Sequence, residues 1–151
     1  MTDVVDTKTR SRMMSGIKGL NTKPELLIRK SLHKQGFRYR LHYKALPGKP
    51  DLAFPSRKAI ILVNGCFWHG HGCSLFKWPS TRKEFWKSKI SENQSRDARN
   101  LTKYRGLGWR TLVIWECAIK GKRAWTLKQI ADWAASWILH GSEDSEIRGY
   151  G

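Results

Sequence analysis

The stretch Cys66-Phe67-Trp68-His69-Gly70-His71-Gly72-Cys73 holds two Cys and two His within eight residues, and the remaining Cys of the chain is Cys117. Three Cys cannot all pair as internal disulfides, and this spacing between glycines points to metal ligation instead. Zinc takes four thiolate or imidazole ligands in a tetrahedron. Cys66, His71, Cys73 and Cys117 make a closed Cys3His set that uses every Cys and leaves His69 over. His69 in place of His71 is the alternative, and buried, unreactive thiols are the plain reading of the Cys. A closed zinc site is structural. It would tie the loop after one strand to the end of its neighbour. The spare His69 can take a proton from water near neutral pH; its plain role is a contact to phosphate or to a ligand residue.

With 12 Asp and Glu in the chain, each acid can be weighed singly. Asp51 follows Gly48-Lys49-Pro50 at the start of a predicted strand. A carboxylate there is placed to hold Mg2+, which takes oxygen ligands and offsets charge in phosphodiester hydrolysis; Pro-Asp is also common in plain turns. Glu25 closes a capping box, Thr22-Lys23-Pro24-Glu25, and can reach Arg29 one turn on. A supporting catalytic role is its second reading.

The elements that must carry these residues follow from periodicity and punctuation. Capping boxes at Thr22, Thr81 and Thr126 open helices that end near Gly36, near Gly106 or Gly108, and at Gly141. A short helix is expected between Lys8 and Lys18. Arg38–His42 reads as an edge strand and Asp51–Phe54 as a short strand after the Pro47-Gly48 turn. Lys58–Val63 and Thr111–Trp115 are apolar, β-branched and centrally buried. The order predicts an α/β fold, a mixed sheet with helices on both faces. Residues 1–140 read as one domain, and the acidic, Gly-containing tail 141–151 as disordered.

Composition narrows the partner. The 151 residues carry 29 Lys and Arg against 12 Asp and Glu, a net charge of +17. That balance calls for a polyanion, and eight Trp argue against a disordered basic tail. No signal sequence, lipidation motif or membrane-length apolar run is visible, so membrane binding is not expected and a soluble, intracellular protein is.

At Gly65-Cys66-Phe67-Trp68-His69 the chain resembles the very short patch repair (Vsr) endonucleases. The resemblance runs from about Thr9 to about Trp137. It is carried by Thr9-Arg10-Ser11 with Met14, Leu46-Pro47-Gly48-Lys49-Pro50-Asp51, and Thr81-Arg82 with Glu84-Phe85-Trp86. Arg96-Asp97, Gly108-Trp109-Arg110 and Trp115-Glu116-Cys117-Ala118 complete it. The resemblance implies a PD-(D/E)XK nuclease-like mixed β-sheet flanked by helices, with a structural Zn2+ on Cys66, His71, Cys73 and Cys117. It implies Mg2+-dependent nicking of double-stranded DNA 5′ of the T in a T:G mismatch left by 5-methylcytosine deamination, in CT(A/T)GG-like contexts. Asp51 then matches the Mg2+-binding aspartate, with the backbone carbonyl of Val63 beside it. His69 matches the water-activating histidine and Glu25 a supporting acid. Phe67, Trp68 and Trp86 match aromatic residues wedged beside the mismatch, and Met14 one that enters from the minor groove. The family also implies a monomer, a cytoplasmic, nucleoid-associated bacterial location and a MutL-type partner.

Trp86, Lys89, Asn93 and Arg96 fall along one face of the long helix and fit a DNA-facing stripe. Asn64 departs from the best-known members, which carry His there; Asn hydrogen-bonds phosphate or water but is neither acid nor base near neutral pH. Two rival readings keep the same residues: a nickase of this fold with a restriction or defence target, and a non-catalytic module that binds distorted DNA.

Overall fold

The computed structural model describes residues 22–150. The helix expected between Lys8 and Lys18, and Met14 with it, lies outside them. Helix α1 (Lys23–Lys34) is followed by strands β1 (Arg40–Leu41), β2 (Leu52–Phe54) and β3 (Ala59–Asn64), then by the long helix α2 (Lys83–Gly106). Strand β4 (Arg110–Trp115), the single turn α3 (Glu116–Ile119), helix α4 (Leu127–His140) and strand β5 (Ser145–Ile147) complete the order. One sheet runs β1-β2-β3-β4-β5, antiparallel from β1 to β3 and parallel from β3 to β5.

Alternation along β3 divides the core. Ala59 and Ile61 face α1 and α4, where Ile28, Leu32, Ile130 and Ile138 are fully buried. Ile60 faces α2 and packs with Tyr104 and Leu46. The period of two along the strand places helices on both sides of the sheet, as the element order predicts. No helix among the described residues is long and apolar enough to cross a membrane.

The caps behave differently at each helix. Thr126 forms both halves of its box with Gln129. Thr22 accepts the Glu25 N–H at 3.4 Å, but the Glu25 side chain does not return; it turns inward. The box expected at Thr81 is absent. Arg82 is the N-cap, in the left-handed region at φ 54, and its guanidinium sits 4.2 Å above the Phe85 ring. This cation–π contact spans the first turn of α2. The first strand is shorter than expected because His42 leaves it at φ 47.

Part of the tail expected to be disordered is ordered. Residues 145–147 form β5, in parallel register with Leu112–Ile114, and Ile147 is fully buried. Asp144 precedes the strand, accepting the Thr111 N–H at 2.9 Å and the Arg105 guanidinium at 2.7 Å. A lone apolar residue in an acidic stretch is too weak a pattern to signal a strand. The sheet edge left open by β4 supplies the missing partner. Ile147→Ala is expected to cost about 2–4 kcal/mol in urea unfolding; an unstructured tail would leave the midpoint unchanged.

Candidate active site and metal centre

The carboxyl ends of β3 and β4 point the same way, and the chain leaves both strands into the stretches that carry the Cys and His. β2 runs antiparallel to β3, so Asp51, at its start, sits beside the end of β3. One Asp51 oxygen accepts the Val63 N–H at 2.8 Å. In an extended strand a residue's N–H and C=O point to the same edge, so the Val63 carbonyl faces the Asp51 side as well.

Glu25 arrives from α1. It is 1% exposed, with Ile28 and Leu32 below it in the core. One of its oxygens takes Arg29 at 3.0 Å and His42 Nε2 at 3.1 Å. A ligand atom from each of Glu25, His42 and Asp51 lies within 4.8 Å of the others, so the three can hold a metal ion together. Burial pushes the Asp51 carboxyl up to about 8; the Val63 N–H opposes this and the neighbouring Glu25 charge adds to it. A carboxylate in such surroundings needs a cation to stay ionised at neutral pH.

The second cluster joins Cys66, His71, Cys73 and Cys117, again with ligand atoms within 4.8 Å of one another. His71 Nδ1 is 3.5 Å from Cys66 Sγ and 3.6 Å from Cys117 Sγ. Backbone N–H groups support the sulfurs: Cys117 N–H donates to Cys66 Sγ and Gly149 N–H to Cys117 Sγ, each at 3.3 Å. The tail strand thereby reaches the cluster. The His71 ring stacks on Trp115 at 4.0 Å. Burial, then the Arg148 charge, hold His71 below the ordinary histidine value, and burial pushes the Cys66 thiol up.

His69 goes the other way. Its Nδ1 meets Asp97 of α2 at 2.5 Å. A carboxylate there accepts from Nδ1 and so turns Nε2 away from α2. Gly70, between the two His, is at φ 62, and a Cβ there would come within 2.4 Å of Gln94. Glycine takes this turn without strain or crowding, and the turn sends one imidazole to α2 and the next to the cysteines. Asn64 ends β3 opposite Trp115 in the ladder, half-buried.

Phe67, Trp68 and Trp86 form one aromatic cluster with ring centroids 5.3–5.6 Å apart. Phe76 stacks on Phe67, Trp78 packs edge-on against Phe76, and Phe85 lies against Trp86. The helical stripe is less free than its spacing suggests. Asn93 donates to the Trp68 carbonyl at 2.8 Å and accepts from Arg96 at 3.1 Å. Its amide holds the aromatic loop in place, while Lys89 stays half-buried on the same helix.

The sequence reading missed His42 and Asp97 as members of these groups. Asp97 stands out only once α2 is placed over the His loop, and His42 only once the left-handed bend is known. Asp51→Asn tests the buried charge. Folded Asp51 keeps its proton up to about 8, while the unfolded chain loses it near 3.8. Without a divalent cation, stability therefore falls as pH rises between those values. Urea unfolding should show Asp51→Asn gaining on wild type by more than about 1 kcal/mol between about pH 5 and about pH 8. A pH-independent difference would contradict this.

A family model described as "DNA mismatch endonuclease Vsr" matches residues 2–75. The chain is 39% identical over 147 residues to DNA mismatch endonuclease Vsr of Escherichia coli, covering 97% of this chain and 94% of that protein. It is 44% identical over 119 residues to the type II nicking enzyme V.XorIIP of Xanthomonas oryzae pv. oryzae, covering 79% and 88%. A third relative, the type II nicking enzyme V.NmeAIP of Neisseria meningitidis, is 43% identical over 122 residues, covering 81% and 87%.

Proposed function

The chain belongs to the Vsr family of DNA mismatch endonucleases, and on that premise we propose that it nicks double-stranded DNA 5′ of the T in a T:G mismatch, by Mg2+-dependent hydrolysis on a PD-(D/E)XK-like sheet. One observation carries the chemistry: a pair of enclosed carboxylates at the carboxyl end of the sheet, in a fold that also orients an imidazole by a carboxylate.

Asp51 and Glu25, with the Val63 carbonyl, are the groups that would hold Mg2+. The raised Asp51 carboxyl fits a cation site, because a cation would remove the penalty that burial imposes. When bound, Mg2+ supplies charge neutralisation at the scissile phosphate and lowers the pKa of water. His69 takes the proton of the attacking water at Nε2, and Asp97 keeps the ring in the tautomer that can do so and stabilises the imidazolium that results. Asn64 donates a hydrogen bond to a phosphate oxygen; with no titratable group there, the leaving oxygen takes its proton from water.

Zn2+ on Cys66, His71, Cys73 and Cys117 supports the loop. Tetrahedral Zn–S and Zn–N bonds of about 2.3 and 2.0 Å set sulfur and nitrogen about 3.5 Å apart. The separations of 3.5 and 3.6 Å from His71 Nδ1 agree. The ion would hold the segment that presents His69, Phe67 and Trp68. Phe67, Trp68 and Trp86 are the wedge: an aromatic cluster already packed edge to face gives up little order when bases open, and a wobble pair unstacks more cheaply than a matched one. Lys89, Arg96 and Met14 stand as further DNA contacts.

The test is a nicking assay with Mg2+ on a duplex bearing a central T:G in a CTAGG-type context and on its matched twin. A single nick 5′ of the T, absent from the matched duplex and with Asp51→Ala, is expected. Asp97→Asn should slow single-turnover nicking by about 10²–10⁴-fold with little change in duplex affinity. Equal cutting of both duplexes would favour a second reading, the same chemistry at another target, which the nicking-enzyme names of several relatives make the natural rival. Binding with no cutting would leave only a module for distorted DNA.

A further inference from the structure

His42 lies one residue past β1, where the pairing with β2 carries on: its N–H donates to the Asp51 carbonyl at 3.2 Å. Its backbone then bends at φ 47, in the left-handed region, which residues other than glycine adopt uncommonly and His more readily than most. The bend aims the imidazole at Glu25, with Nε2 3.1 Å from Oε2. Two contacts thus fix His42 to the two acidic residues of the candidate metal centre, to the Asp51 backbone carbonyl and to the Glu25 carboxylate. One comes through its backbone and one through its ring. The ring is half-buried, at 16% exposure, and it faces Glu25, Asp51 and the Arg29 guanidinium that shares Glu25 Oε2.

We propose that His42 is a direct ligand of the catalytic cation through Nε2, so that the centre is a Glu–Asp–His site that prefers Mn2+ to Mg2+. This rests on the reading of Asp51 and Glu25 as the metal-holding acids. Metal–ligand bonds of about 2.0–2.2 Å let one ion bridge donor atoms up to about 4 Å apart. A group whose ligand atoms lie within 4.8 Å closes around an ion with small side-chain rotations. Mg2+ takes oxygen and sheds water reluctantly, whereas imidazole suits transition metals. An imidazole in place of one oxygen therefore raises affinity for Mn2+ more than for Mg2+. Glu25 does not need His42 as a counter-charge, since Arg29 already supplies one at 3.0 Å.

Mn2+ itself is the probe, titrated into the full-length, zinc-loaded protein without DNA and read by electron paramagnetic resonance. The expected result is one bound Mn2+, about tenfold tighter than Mg2+ in competition, with electron spin echo modulation from a coordinated ¹⁴N. His42→Gln should remove the ¹⁴N signal and most of the Mn2+ preference; His69→Ala should keep both. His42→Asn, which tolerates positive φ, is the second variant should Gln perturb folding. A wild-type complex without ¹⁴N coupling, or coupling that survives His42→Gln, overturns the proposal and leaves His42 an ion-pair partner of Glu25. Asp51→Asn separates the two readings. If it binds Mn2+ as wild type does, the carboxylate site itself is wrong; if it binds none while wild type shows no ¹⁴N, only His42 is.

Discussion

Glu25 is sealed in the core and Asp51 is enclosed next to it, and two carboxylates cannot both be ionised in such a place without compensation. Much of the local architecture answers that constraint. Arg29 stands one turn along α1 from Glu25, the Val63 N–H is directed at Asp51, and His42 bends out of its strand to reach Glu25. The loop between β1 and β2 is pinned as well: Tyr104 of α2 donates to the Pro47 carbonyl at 2.6 Å. These contacts hold the acids where water would otherwise draw them out, and the charge they leave uncompensated is what a divalent cation would supply.

A second constraint comes from the parallel pairing of β3 and β4. It ends both strands at the same edge, so residues 51 apart in the chain, Cys66 and Cys117, meet there. The segment after Cys66 then has to serve two neighbours at once. Gly70 lets it do so, with His71 turned to the sulfurs and His69 to Asp97. The aromatic rings of Phe67 and Trp68 are carried on the same short stretch, and Asn93 fastens it to α2. Metal ligation, base positioning and the aromatic wedge therefore share one segment, and a change at any of them should be felt by the others.

Much of this was legible in the sequence. Capping residues and terminal glycines located α1, α2 and α4, and apolar, β-branched runs located the two central strands, because burial on both faces leaves a strong pattern. The Cys3His set followed from spacing, since so few ligands admit few combinations. Asp51 and Glu25 were visible as acids but not as neighbours; only the antiparallel turn into β2 brings them together. β5 stayed hidden because a single apolar residue, Ile147, is too weak a pattern to signal a strand, and its pairing partner is the open edge of β4. The Thr81 cap is absent because the helix starts one residue later, with Arg82 at the N-cap and its guanidinium over Phe85. His42 and Asp97 carry no signature of their own and acquire a role only through the geometry around them.

The measurement that bears most directly on this account is the single-turnover nicking rate against Mg2+ concentration, with T:G duplex saturating, for wild type and Glu25→Gln. If the enclosed carboxylate pair exists to hold the cation that cuts DNA, the half-saturating Mg2+ concentration should rise about tenfold or more in the variant. Duplex affinity in Ca2+ should stay as in wild type. An unchanged Mg2+ dependence, or a loss of duplex binding in its place, would contradict the account and return Glu25 to a purely structural role.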